Sequence, residues 1–445
     1  MHGPLIEPAQ AVVSQPMFES VRASGAAPQA SRAGGIPFFL RRLGAFAGPG
    51  FMVAVGYMDP GNWATDLAAG SAFGYPLLFI VLLSSLAAIV LQVLAAKLGI
   101  ATGRDLAQCC RDSFSRPVSM GLWVLAEIGI CACDLAELIG TALALKLLFG
   151  LPLMAGLVLT IADVIFVLLL ARRGFRRLEA VMTGLVALVA GCFLTQLVML
   201  NPDLGQIAQG YLPSGEIVTD PRMMYLAIGI VGATVMPHNL YLHSSIVQSR
   251  QYRRDQRGRR EAVLLNSVDC VAALLFATLV NSAILILAAS AFHGRGNFEV
   301  ADITEAHRLL TPLLGSAAAT LFAVALLAAG QSSSLTATLA GQIVMEGFVS
   351  IRLNAWQRRL ITRLTAAGPA ILVVWLFGEA SVGKLLIFSQ VLLSLQLPFA
   401  VIPLLMFTSD PAQMGDLVNS KRMSVLAAAI SASIVVGNLV VLTQL

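Results

Sequence analysis

What this sequence lacks first is charge. Of its 445 residues only 12% are Asp, Glu, Lys or Arg, where a soluble domain carries about a quarter. Cysteine is scarce as well. Cys109, Cys110, Cys131, Cys133, Cys192 and Cys270 sit in or beside apolar runs, with neither the spacing of a disulfide framework nor that of a zinc site. Cys131 and Cys133 read as small helix-packing residues, two apart and so on different faces. No H-E-x-x-H occurs, which excludes the zinc-protease arrangement. The basic residues are not gathered into one segment, so the net charge of +5 does not point to nucleic acid. The first 40 or so residues lack the basic start and apolar core of a secretory signal. Rich in Ala, Gly, Pro, Ser and Gln, residues 1–42 read as a disordered cytoplasmic tail.

What is there is apolar. Hydrophobic residues make up 57% of the chain and the mean hydropathy is +0.82. Such a chain takes lipid as its solvent, and a helix needs about 20 apolar residues to cross the hydrocarbon. Eleven stretches qualify: 45–68, 74–98, 119–145, 151–171, 178–200, 223–247, 263–291, 312–345, 365–381, 384–407 and 424–443. The 312–345 stretch is long enough to contain a bend. With the N-terminus placed inside, 24 of the 29 basic residues fall on inner segments, including Arg172, Arg173, Arg352, Arg358, Arg359 and Arg363. Only Lys146, Arg222, Arg295, Arg308 and Lys384 fall outside. That bias is the positive-inside pattern, and one missed helix would have scrambled it. The C-terminus then ends outside.

Two of the stretches are interrupted. The first contains Gly56-Tyr57-Met58-Asp59-Pro60-Gly61-Asn62 and the sixth contains Ala233-Thr234-Val235-Met236-Pro237-His238-Asn239. Proline has no N–H, so the carbonyl four residues back loses its helical partner. Those carbonyls belong to Gly56 and Ala233. Open carbonyls inside a bilayer are tolerated where they line a cavity or bind something. An Asp at that depth costs at least about 2.5–3.5 kcal/mol. Breaks at corresponding positions of two halves point to a secondary transporter's binding site, and an odd-length repeat inverts the second half. Residues 43–445 then form one transporter domain. Its halves are about 45–200 and 223–407, with an added helix at about 424–443.

The candidate ligands at the breaks are the Asp59 carboxylate, the Asn62 amide, the Gly56 and Ala233 carbonyls and the Met236 thioether. Oxygen alone suits Mg²⁺ and Ca²⁺; a thioether shifts the preference towards Mn²⁺, Fe²⁺ or a softer neighbour. A second ionisable group comprises Glu127, Asp134 and Glu137 on span three with His238 and His243 on span six. Intramembrane Asp, Glu and His chains are typical of proton relays. Gly378 to Leu385 imitates a P-loop, but Leu385 stands where Ser or Thr would hold Mg²⁺. ATP is therefore not expected as a partner.

At these residues the sequence resembles the Nramp family of proton-coupled divalent metal transporters, notably its bacterial manganese-carrying branch. Asp59-Pro60-Gly61-Asn62 and Met236-Pro237-His238-Asn239 match its two signature breaks. Gly330 to Gln342, Asp134-Leu135-Ala136-Glu137, and Ser389-Gln390 through Phe399 also look like family segments. The likeness runs over about residues 45–443. It implies an all-α membrane protein of LeuT-type fold with eleven helices. It implies Asp59, Asn62, Met236 and the Ala233 carbonyl as metal ligands, with Gly56 and Gln390 joining in some conformations. It also implies a proton network of Asp59, Glu137, Asp134, Glu127, His238 and His243 with an Arg of span nine. Arg363 is the first candidate there, against Arg358 and Arg359. Relatives that carry Mg²⁺ or Al³⁺ differ at the Met236 position, and Gly56 stands where Ala is common.

The function expected is Mn²⁺ import, with Fe²⁺ and other soft divalent metals, coupled to H⁺ by alternating access in a bacterial inner membrane. No resident cofactor and no enzymatic chemistry are expected. A sodium-coupled organic-solute transporter of the same architecture would want a roomy pocket and a helix N-terminus open to a carboxylate, which Asp59 and Met236 fit poorly. A metal sensor that binds without transport would need an output domain, and this chain ends at Leu445 just after its last span.

Overall fold

The computed structural model describes residues 42–44, 46–161, 175–300, 302–350 and 355–444. The expected tail through residue 41, the second half of the 151–171 span, and Arg172, Arg173 and Arg352 lie outside the described residues. The helices that position the site are α1 (Pro49–Gly56), α2 (Pro60–Phe73), α3 (Leu78–Thr102), α4 (Leu106–Ser113), α5 (Arg116–Phe149), α6 (Leu153–Ile161), α7 (Phe175–Leu200), α8 (Pro221–Val235) and α9 (Pro237–Ile246). They continue as α10 (Gln256–Ala291), α11 (Ile303–Leu314), α12 (Ser316–Val349), α13 (Ala355–Phe377), α14 (Val382–Gln396), α15 (Pro398–Ser409) and α16 (Lys421–Gln444). Among the described residues nine helices are long and apolar enough to cross a membrane, counting α8–α9 and α14–α15 as one each. The first expected span falls short of that length because it is two helices, of 8 and 14 residues.

Several boundaries differ from the hydropathy reading, and two of them have a clear physical cause. The long 312–345 stretch begins inside a separate helix, α11, which stops at Gly315 with φ 86°, and α12 starts at Ser316. The ninth span begins at Ala355, ten residues before its expected start. Hydropathy ends a span at charge, but Arg358, Arg359 and Arg363 are 7%, 2% and 0% exposed. Arg358 and Arg363 meet carboxylates inside the bundle and Arg359 meets polar groups of α12, as described below.

The ends of the helices sort into two faces. Arg250 donates to the Ala47 carbonyl, Tyr252 OH to the Ile100 carbonyl, and Arg111 to the Gly347 carbonyl. Arg42 pairs with Glu261 and Lys97 with Asn419. On the opposite face Lys146 pairs with Glu379, Arg222 with Glu299, and Tyr75 OH meets Ser290 Oγ at 2.7 Å. Every one of these contacts joins segments that the alternation of spans assigns to one side.

The outer helices present apolar side chains outward: Leu188, Leu194 and Val198 on α7, Leu364, Leu372 and Trp375 on α13, Val425 and Leu439 on α16. An apolar surface of this extent is what lipid covers. The interior is the reverse. All of α9 and α2 from Pro60 through Ser71 are buried, although both carry polar residues throughout. α2 is packed among α10, α8, α14 and α5. Trp63 anchors it, meeting Phe193 of α7 and Phe322 of α12 edge-on at 4.7 and 5.2 Å. Such pairs add about 0.5–1.5 kcal/mol each beyond burial. The chain thus encloses two short polar helices in an apolar shell, and the gaps at their starts are the two breaks.

Candidate functional site

The first break tightens rather than opens. The amides of Tyr57, Met58 and Asp59 bond the carbonyls of Ala54, Val55 and Gly56 at 3.1, 3.2 and 3.2 Å. The Gly56 carbonyl, expected to be left without a partner, therefore accepts from the Asp59 N–H. Pro60 removes only the four-back bond, and a three-back bond replaces it. A second lone pair remains on that oxygen. Side-chain donors reach the next carbonyls along: Asn62 Nδ2 and Asn281 Nδ2 both donate to the Tyr57 carbonyl, and Trp63 Nε1 to that of Met58. Asp59 caps α2, its Oδ1 accepting the Asn62 N–H at 2.8 Å. Its Oδ2 is buried and unpartnered.

The second break is a single residue. Met236 has φ 41° and ψ 96°, a region that costs a non-glycine residue about 1–3 kcal/mol. Pro237 withholds the N–H that the Ala233 carbonyl would otherwise face. The Met236 sulfur accepts from Asn239 Nδ2 at 3.4 Å.

The two breaks meet. A methyl group on Gly56 would lie 3.4 Å from the Met236 sulfur and 2.6 Å from Asn239 Nδ2. One on Gly61 would lie 1.9 Å from Gln390 Nε2 and 3.1 Å from Asp59 Oδ2. Gln390 of α14 thus reaches the start of α2, as the family likeness implied. Asp59 Oδ2, Asn62 Oδ1, Gln390 Oε1 and Asn239 Oδ1 are all buried without a hydrogen-bond partner. Buried acceptors lacking donors are costly, and a cation supplies what they lack. The C-terminal ends of α1 and α8 also point into this region, and such ends favour positive charge. Among the described residues no three His, Cys, Asp or Glu side chains gather to hold a metal. The donor set here is one carboxylate with amides, carbonyls and a thioether.

The second ionisable group divides in two. On α5, Glu127 pairs with Arg358 and accepts from Trp123 Nε1 at 3.0 Å. Asp134 Oδ1 lies 3.1 Å from Arg363 Nη1. Arg363 also reaches Ser334 Oγ, and Arg359 donates to the Ser334 carbonyl at 2.8 Å and to Thr338. Arg358 thus holds Glu127, Arg359 and Arg363 share Ser334, and Arg363 is the one on Asp134. Glu137 connects to His238 through Cys133: the thiol lies 3.5 Å from Glu137 Oε1 and 3.7 Å from His238 Nε2. Cys133, read from the sequence as packing, is the link between them. His243 is elsewhere. Its Nδ1 meets Gln92 Oε1 at 3.1 Å and its Nε2 faces Asn266. Gln92 Nε2 in turn donates to Tyr57 OH at 3.0 Å. His243 thus joins the first break from another direction and does not meet Glu137.

Sequence reasoning missed Gln92, Asn281, Ser334 and Cys133 as site residues, and it placed Asn239 in the second break without giving it a partner. A lone Gln or Asn inside a long apolar helix is a usable signal, and Gln92 and Asn281 carry it. Nothing in the sequence distinguishes Cys133 from a packing residue.

Two broken helices enclosed by long apolar ones, with unpartnered acceptors where the breaks meet, define a multi-pass membrane protein built as transporters of LeuT type are. The particular family follows from comparison. The family described as natural resistance-associated macrophage protein-like (Nramp) matches residues 50–444. A divalent metal cation transporter MntH of Mesorhizobium japonicum is 55% identical over 426 residues, covering 95% of this chain and 92% of that one. A MntH of Nostoc sp. is 57% identical over 398 residues, covering 89% and 90%. The crystal structure of the Eremococcus coleocola manganese transporter superposes with a TM-score of 0.85 at 40% identity, covering 93% of this chain and 88% of that one. Mhp1, a nucleobase-cation-symport-1 family transporter, shares the fold at 17% identity and a TM-score of 0.60 over 89% of each chain. The chain belongs to the Nramp family.

Proposed function

We propose that this protein imports Mn²⁺, and Fe²⁺ with it, coupled to H⁺. The observation that carries the reading is the meeting of the two breaks, where the Met236 sulfur faces Gly56 and the buried Asp59 and amide oxygens of the breaks lack partners. Asp59, Asn62, Met236, Gln390 and the Ala233 and Gly56 carbonyls are the metal ligands. One carboxylate gives charge, the neutral oxygens suit a first-row divalent ion, and the thioether disfavours Ca²⁺ and Mg²⁺, which want oxygen alone.

Protons move through the groups behind the site. Metal and proton compete for Asp59, since a carboxylate must be ionised to bind metal. His238, Cys133 and Glu137 lead away from the second break, and Asp134 with Arg363 and Glu127 with Arg358 continue along α5. His243 bears on Asp59 only through Gln92 and Tyr57. The face carrying most of the basic residues is cytoplasmic, so the described chain starts inside and α16 ends outside the inner membrane. The halves about 45–200 and 223–407 are inverted copies that rock about the breaks to open alternately. An inside-negative potential drives entry, worth about 2.3 kcal/mol per charge per 100 mV.

The test is uptake into proteoliposomes at a set potential, with internal pH followed. Mn²⁺ entry with acidification and no Mg²⁺ or Ca²⁺ entry is expected. Mn²⁺ entry without proton movement would remove the relay, and no metal entry would remove the transport reading.

A further inference from the structure

Asp66 is a buried carboxylate that the site above does not use. It lies on α2 seven residues beyond Asp59, which puts it on the same face roughly 10 Å further along the axis. It is 2% exposed, and its Oδ2 has no partner. Asn62, four residues before it, shares that face. Asn62 and Asn281 both spend their Nδ2 on the Tyr57 carbonyl, so their Oδ1 atoms turn away from it, and both are buried and unpartnered. Ser282, next to Asn281 on α10, has an unpartnered Oγ as well.

The helix register places these groups together. α2 and α10 run in the same direction. Tyr57 lies against Asn281, and a methyl on Gly70 would lie 2.4 Å from the Leu285 carbonyl. Asp66 falls between those two contacts, level with the stretch from Asn281 to Leu285. Another seven residues along the same face, Phe73 borders an outer cleft of about 450 Å³, lined also by Tyr75, Asp203, Ser290 and His293. The unpartnered oxygens therefore lie between Asp59 and the close contact of Gly70 with Leu285, on the side of Asp59 that faces the cleft.

We propose that Asp66, with Asn281 Oδ1, Ser282 Oγ and the Asn62 Oδ1 that it shares in turn with the inner site, forms an outer cation station where a divalent metal pauses between the cleft and Asp59. This rests on the import reading above and adds a second site to it. The station offers four hard oxygens and no sulfur, so the ion keeps part of its water, having fewer protein ligands than its usual six or more. Without a thioether the station does not tell Mn²⁺ from Ca²⁺; that choice is left to Met236. Ca²⁺ accordingly occupies the station without being carried and competes with Mn²⁺ for entry.

The experiment is Mn²⁺ uptake into proteoliposomes against rising external Ca²⁺. In the wild type, Ca²⁺ inhibits competitively. In Asp66→Asn the KM for Mn²⁺ rises about tenfold with Vmax held within about twofold, and half-inhibition needs about tenfold more Ca²⁺, the effect of losing one charged ligand worth about one decade of affinity. Asp66→Glu restores the Ca²⁺ sensitivity. Unaltered Ca²⁺ sensitivity in Asp66→Asn overturns the station, as does a fall in Vmax alone. Binding of radioactive Ca²⁺ to purified Asp59→Asn protein decides the matter without transport. One retained Ca²⁺ site, lost in the Asp59→Asn, Asp66→Asn double variant, supports the station, and no Ca²⁺ binding contradicts it. Absent Mn²⁺ uptake in the wild type would count against the import reading, while this binding result still judges the station.

Discussion

The two breaks do the same job by opposite means. The first spreads over Tyr57, Met58 and Asp59 and satisfies itself: three short backbone bonds replace the lost helical ones, and Asp59 caps the next helix. The second is concentrated in Met236, which takes a positive φ with no side-chain cap for α9. One break is locally relaxed and supplies charge; the other is locally strained and supplies sulfur. A residue held in such a conformation persists because its surroundings over-determine it, and all of α9 is buried. The division suggests that charge sets whether a cation binds and strain sets where the sulfur sits.

Substitutions can break that comparison, beginning with the largest effect. Asp59→Asn keeps the cap and removes the charge. Uptake of Mn²⁺ is expected to fall roughly a hundredfold or more, since stranding a buried ion costs about 3–5 kcal/mol. Near-normal uptake would show that the carboxylate acts only as a cap. Next comes Gly232→Ala, whose methyl would lie 2.1 Å from the Gln390 carbonyl and 2.6 Å from the Ser394 nitrogen. Backbone cannot step aside, so a loss of about 1–3 kcal/mol is expected in thermal unfolding of the detergent-solubilised protein. An unchanged Tm would mean that α8 and α14 sit further apart than described.

Met236→Ala removes the sulfur and keeps the strain. Discrimination of Mn²⁺ over Ca²⁺ in competitive uptake should fall about tenfold, with Mn²⁺ transport reduced much less. Unchanged selectivity would demote the thioether to packing. Met236→Gly removes both sulfur and strain, so it should match Met236→Ala in selectivity but exceed it in stability by about 1 kcal/mol. Equal Tm values for the two would deny the strain. The smallest effect is reserved for Gly56→Ala. Its methyl meets a movable amide, Asn239 Nδ2 at 2.6 Å, rather than backbone, so stability within about 0.5 kcal/mol of wild type is expected.

Much of this was legible beforehand because membrane burial leaves a strong imprint. Apolar length gave most spans, and basic residues gave the grouping of their ends that the contacts between Arg111 and Gly347 or Lys146 and Glu379 repeat. Proline gave both breaks. Hydropathy failed at α13, because it treats charge as solvent-exposed and could not see Arg363 held by Asp134. It also could not separate α11 from α12, since a stop at Gly315 depends on one dihedral angle. The ionisable group was legible as a list but not as a network: His243 and His238 are five residues apart and face different partners. Cys133 became visible only through what lies across from it, and Asn239, legible as part of the break, gained its partner only in the fold.

The central claim is that both breaks hold one ion, and X-ray absorption at the manganese edge of the purified, Mn²⁺-loaded protein tests it most directly. The account predicts one sulfur neighbour within a shell of oxygens, with the sulfur lost in Met236→Ala. An all-oxygen shell in the wild type would contradict it.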